Sequence, residues 1–163
     1  MANRLGISTL LIGVLVLLGC ENNSSSKDAI HAIRNHDIEA FSRAVDKMGN
    51  INIPLGDLQR TLAHRLASDG ISTNLVFLDT VLDVFVEHGG DLNRRDIYGK
   101  TPLHYVVLSE QSKELYSLLL AHGASQDIND KTGCSPRDYL NQKTLRVEPE
   151  LHNTFRNSTN GCQ

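Results

Sequence analysis

The sequence predicts an all-α fold, a solenoid of helix-turn-helix units that carry short turn fingers. Three observations lead there. Gly99 is answered by Gly133, and the His88-Gly89 pair by His122-Gly123, each 34 residues further along, which marks a structural repeat. The stretch from Asp96 to Asn129 reads as a turn, a short helix, a second helix and a loop. Leu115, Leu118 and Leu119, with Val106 and Val107, supply the apolar spacing of two helices packed back to back.

The best-formed unit opens with Gly99-Lys100-Thr101-Pro102-Leu103-His104 and closes with Leu118-Leu119-Leu120-Ala121-His122-Gly123-Ala124. Gly99 permits a positive φ, Thr101 caps the first helix, and Pro102 fits its first turn, where a missing N–H costs nothing. Gly123 allows a left-handed stop. These residues resemble the ankyrin repeat, whose signature includes a Gly-x-Thr-Pro-Leu-His opening and a Leu-Leu-Leu-x-x-Gly-Ala ending. The resemblance implies an ankyrin-repeat solenoid, with His64 and His104 bonding to neighbouring turn backbone.

In chain order, residues 1–19 read as a lipoprotein signal peptide: Arg4 precedes an apolar run from Ile7 to Leu18. That run falls short of the about 20 residues that a membrane-spanning helix needs. Leu17-Leu18-Gly19-Cys20 resembles the bacterial lipobox, which implies acylation of Cys20 after cleavage. Residues 20–27 then form the lipidated cysteine and a polar tether. Glu21 in place of an aspartate favours an outer-membrane anchor facing the periplasm, as that resemblance implies.

Residues 28–142 form the repeat domain, about three repeats and the start of a cap. Ile38, Phe41, Val45 and Met48 follow helical spacing up to Gly49, a degenerate first unit. In the second, Thr61-Leu62-Ala63-His64 stands where Thr-Pro-Leu-His would stand. Its threonine precedes the closing Gly89 by 28 residues, against 22 from Thr101 to Gly123, so six extra residues are expected in the loop from Ser68 to Asn74. A fourth unit begins at Asp130 and keeps Gly133-Cys134-Ser135-Pro136, with Asp138 at the histidine position. Residues 143–163 are expected to be a capping segment and loose tail.

Cleavage after Gly19 leaves 144 of the 163 residues and a net charge of −4, from 15 basic side chains (the chain's 16 less Arg4) against 19 acidic ones. Mild acidity argues against nucleic acid as a partner. His31 and His36 lack the spacing of a helical metal pair, and the sequence holds no His-Glu-x-x-His, Cys-x-x-Cys, Gly-x-Ser-x-Gly or phosphate-cradling loop. The expectation is therefore a non-enzymatic protein without metal or cofactor. His88 and His122 end helices, where a cationic ring suits the dipole. Asp79, Asp83 and Glu87 share one helical face, either solvated or an acidic patch.

In ankyrin stacks the turn fingers and the exposed side of the first helices bind partners. Carried over, that surface comprises Ile97, Tyr98, Lys100, Leu108 and Ser109, with Lys131 and Thr132, beside the pair Arg94 and Arg95. An aromatic and two apolar residues among four cations suit a protein hot spot. Cys134 is expected to point outward at a finger tip, where Cys162 from the tail either pairs with it or leaves it a thiol. The expected partner is another protein. It is either a toxin delivered into the periplasm, such as a type VI secretion phospholipase effector that this protein would block as an immunity protein, or a periplasmic enzyme that it supports as an accessory scaffold.

Overall fold

The computed structural model describes residues 24–68, 74–109 and 113–147. The expected signal segment, Cys20, Cys162 and the long loop of the second unit at residues 69–73 lie outside the described residues. The helices are α1 (residues 24–34), α2 (Ile38–Met48), α3 (Leu62–Ser68), α4 (Leu75–Glu87), α5 (Pro102–Leu108), α6 (Lys113–Ala121) and α7 (Pro136–Val147). Among the described residues the one β feature is an isolated antiparallel bridge between Leu55 and Arg60.

Two helical rows result. The inner row packs α3 on α5 and α5 on α7; the outer row packs α2 on α4 and α4 on α6. Local chemistry starts and stops each helix. Asp37 accepts the Ala40 N–H at 2.8 Å to cap α2, and Asn74 accepts the Phe77 N–H at 3.1 Å to cap α4. Thr101 and Pro102 open α5 as the sequence predicts. Gly49, Gly89 and Gly123 follow their helices at positive φ.

The apolar faces interlock into one core that includes Ile33, Phe41, Met48, Leu62, Leu82, Phe85, Leu103 and Leu119, each essentially inaccessible to water. Every apolar position that the periodicity assigns to α2, from Ile38 to Met48, is buried or half-buried there. Gly90 is a packing requirement, because a Cβ at this position would sit 2.2 Å from the fully buried Phe85 ring.

Two boundaries and one side-chain placement differ from the sequence expectation. Residues 24–27 are helical, not tether, and Ser25 and Ser26 are buried. The short serine side chains let α1 approach the stack, which polar composition alone conceals. The boundary drawn between 142 and 143 falls inside α7, which continues through Val147. Cys134 does not point outward: it is fully buried at the base of its finger, its N–H turned toward Asp130 at 3.3 Å.

The Phe85 ring is fully buried, so a methyl group at residue 90 fits only if the ring shifts. Gly90→Ala is expected to lower the unfolding free energy by about 1–3 kcal/mol in urea titrations.

Candidate protein-binding face

The fingers are residues 55–60, 94–100 and 128–134. In the second, the Asp96 N–H donates to the Lys100 carbonyl at 2.9 Å, while Asp96 Oδ1 accepts the N–H groups of Tyr98 (2.8 Å) and Lys100 (2.9 Å). The third repeats this with Asp130, which bonds the Cys134 carbonyl (2.8 Å) and accepts from Thr132 N (2.8 Å) and Cys134 N (3.3 Å). One buried carboxylate therefore satisfies the donors that a tight turn leaves over. In the first finger Gly56 stands in the aspartate's place and Gln59 takes the left-handed conformation, φ 53°, that Gly99 takes at 76°.

The second oxygen of each aspartate ties one repeat to the last. Asp96 Oδ2 accepts the Tyr105 hydroxyl at 2.5 Å, Arg60 of the preceding finger donates to that hydroxyl at 2.9 Å, and its guanidinium lies 4.3 Å above the tyrosine ring. Asp130 Oδ2 pairs with the Lys100 ammonium and accepts the Tyr139 hydroxyl at 2.9 Å, with Lys100 4.7 Å above the Tyr139 ring. The Lys100 side chain is 18% exposed and that of Asp130 0%. Burial alone would raise the Asp130 carboxyl, but bonds from Lys100, Thr132 and Tyr139 hold it well below the carboxylate range. Burial would likewise lower Lys100, and its bonds to Asp130 and Tyr139 outweigh that and raise it.

Histidines form a second ladder. The N–H and hydroxyl of Thr61 meet His64 Nδ1 at 3.1 and 3.0 Å, and His64 Nε2 lies 3.0 Å from the Lys100 carbonyl. Thr101, His104 and the Cys134 carbonyl repeat the arrangement at 2.9, 2.9 and 3.1 Å. A backbone N–H can only donate and a carbonyl can only accept, so each ring is neutral, protonated on Nε2. Burial lowers both histidines from their ordinary 6.5. Asp138 takes the third place and closes its helix on Ser135, 2.9 Å to the backbone N–H, with no Nε2 to reach onward. An asparagine ladder joins the loops opposite: Asn52 bridges Gly89 O and Asp91 N, and Asn93 bridges Gly123 O and Ser125 N, all at 2.7–2.9 Å.

These ladders divide the expected partner-binding residues. Lys100 is the inter-repeat cation, paired with Asp130. Arg95 donates to the carbonyls of Gly99 (3.2 Å) and Asn129 (2.7 Å), Ser109 to the Tyr105 carbonyl (2.5 Å) and Thr132 to Asp130 (2.6 Å), so each also serves the scaffold. Ile97 is half-buried, its N–H on the Leu58 carbonyl at 3.2 Å. Tyr98 (50% exposed), Leu108 (43%), Arg94 and Lys131 present their side chains to water. The Lys131 N–H donates to the Tyr98 carbonyl at 3.0 Å, which sets those two side by side on adjacent tips. Gly99 makes this approach possible: a Cβ there would lie 2.9 Å from the Lys131 nitrogen. The acidic helix face resolves as well, since Asp79 and Asp83 face His122. Among the described residues no group of three His, Cys, Asp or Glu is placed to hold a metal ion.

Comparison with known proteins places residues 98–132 on the family model described as Ankyrin repeat. The chain is 26% identical over 64% of its length to ankyrin repeat domain-containing protein 37 of Bos taurus, covering 61% of that protein. It is 33% identical over 54% of its length to an ankyrin and IPT/TIG repeat-containing protein of Schizosaccharomyces pombe, covering 7% of it. An ADP-ribosylation factor GTPase-activating protein of Arabidopsis thaliana is 40% identical over 71% of the chain, with 15% of that protein covered. The chain thus spans less than two thirds of the length of each of these relatives.

Two expected outcomes follow from the ladders. Lys100→Met strands a buried carboxylate and should cost about 3 kcal/mol in chemical denaturation, much of it recovered in the Lys100→Met/Asp130→Asn double variant. Acid should act in two stages. The neutral histidines have lowered values when folded, so the unfolded chain takes up protons first, and their contribution, complete above 6.5, is lost as pH falls below it. Asp130 is depressed when folded, so its contribution is present above 3.8 and fades below it. Unfolding free energy measured from pH 8 to pH 3 should show both declines.

Proposed function

This chain belongs to the ankyrin-repeat family, and from that premise we propose that it is a non-enzymatic protein-binding module, lipid-anchored through Cys20. In this reading it faces the periplasm from the outer membrane and acts as an immunity protein, holding a periplasm-delivered toxin such as a type VI secretion phospholipase effector. Ankyrin repeats indicate a protein–protein interaction module; anchor, compartment and toxin are the proposed part.

The observation that carries the binding reading is the outward row on the fingers. Tyr98, beside Lys131 and in the same finger as Arg94, stands half-exposed, while the neighbouring Lys100, Arg95 and Thr132 are held by the scaffold. A rigid platform that leaves an aromatic side chain unburied suits an anchor residue on a partner. Cys134 is disulfide-bonded, which fits an oxidising compartment.

Co-expression of this protein with a candidate phospholipase effector in the periplasm should restore survival, and equal killing with and without it would remove the immunity reading. In the purified pair, Tyr98→Ala should weaken binding about thirtyfold, the equivalent of about 2 kcal/mol at a hot spot. Lys131→Glu should weaken it less, with the helical signal unchanged in both variants.

A further inference from the structure

We propose that the protein held on the fingers presents an acidic surface, carboxylates grouped around an apolar side chain, to Arg94, Arg95, Tyr98 and Lys131. The inference rests on the protein-binding reading above and names the chemistry of the partner. It starts from an imbalance. The chain has 19 acidic against 16 basic side chains, yet the carboxylates of the second and third fingers are used inside the stack. Asp96 and Asp130, with side chains 0% exposed, meet Arg60 and Lys100, and Asp127, just before the third finger, pairs with Arg137 at 2.9 Å. The cations at the tips of the same two fingers have no such match. Arg94 and Lys131 are exposed, and no ion pair among the described residues includes either. Arg95 is exposed as well, and its two bonds run to the Gly99 and Asn129 carbonyls, which hold the guanidinium across both tips without cancelling its charge. A guanidinium has five N–H groups, so three remain for an anion.

The scaffold fixes how these groups stand. The bond from the Lys131 N–H to the Tyr98 carbonyl sets the two tips side by side, so the three cations flank one half-exposed aromatic ring on turns whose own donors are already satisfied. Carboxylates match the guanidinium forks and the ammonium, and an apolar group between them meets the Tyr98 ring. The outer helices have the opposite sign: α4 carries Asp79, Asp83 and Glu87 and no Lys or Arg. An acidic partner is therefore repelled from the outer row and drawn to the fingers. Asp57, exposed on the first finger, confines the cationic patch to the second and third. Three cations fall short of the about four to eight that hold a polybasic segment on a bilayer. The acidic outer row disfavours a nucleic acid backbone. A protein surface with a few placed carboxylates fits both the number and the arrangement.

The test uses the whole chain carrying Cys20→Ser, so that no acyl group binds lipid. The probe is a fluorescein-labelled decapeptide with three Glu around one Phe in a Gly-Ser background, beside counterparts with Gln or Lys at the Glu positions. Fluorescence anisotropy at about 20 mM salt should show the Glu peptide bound about tenfold more tightly than the Gln peptide, and the preference should be largely lost by about 300 mM, where exposed charges are screened. Arg94→Gln/Lys131→Gln should remove the preference. Lys47→Gln/Lys113→Gln, on α2 and α6 away from the fingers, should leave it, and Asp57→Asn should strengthen binding of the Glu peptide about twofold. Equal affinity for the three peptides, or equal loss in the two double variants, would overturn the proposal. So would tighter binding to vesicles of phosphatidylglycerol and phosphatidylcholine that the finger variant abolishes. A toxin held with the same affinity across the salt range would contradict the acidic partner and leave the immunity reading intact; a peptide preference without rescue of survival would do the reverse.

Discussion

The stack depends on a buried negative charge at the base of each of two fingers. Asp96 and Asp130 are nearly inaccessible to water, a position that is unfavourable for a carboxylate without partners. Each is supplied by three sources at once: backbone N–H groups of its own turn, a tyrosine hydroxyl of the helix that follows, and a cation from the finger before. The turn is thereby formed and joined to its predecessor by one side chain. Local geometry and repeat-to-repeat order are the same interaction.

That arrangement governs what is left for function. A finger whose polar groups are consumed internally is stiff, and it presents to water the side chains that the scaffold does not use. Tyr98, Arg94 and Lys131 meet that description; Lys100, in the same finger, does not. A stiff finger also loses little conformational freedom when a partner docks, which favours binding without the cost of ordering a loop.

Much of the fold was legible in the sequence, because turn and cap residues act locally. Thr101, Pro102, Gly99 and Gly123 do in space what their neighbours in sequence imply, and the α2 periodicity found its core positions. The sorting of the site was not legible, because it depends on contacts across about one repeat. Arg60 and Lys100, each just before a capping threonine, look like surface cations in a finger. Their carboxylate partners lie 36 and 30 residues away. A signal did exist: Asp96 and Asp130, and Tyr105 and Tyr139, recur at the same 34-residue interval as Gly99 and Gly133. Cys134 was misplaced for a related reason, since a residue at a turn reads as exposed until the next layer, here the His104 ring on its carbonyl, is known.

Amide hydrogen exchange tests the central role of the two carboxylates most directly. The N–H groups of Tyr98, Lys100 and Thr132 sit in turns at the protein surface, where exchange is ordinarily fast, yet they donate to Asp96 and Asp130. They should exchange as slowly as the amides of α5, through opening of the whole stack. Exchange at the rate of a solvated loop would show that the fingers are held by something other than their buried aspartates.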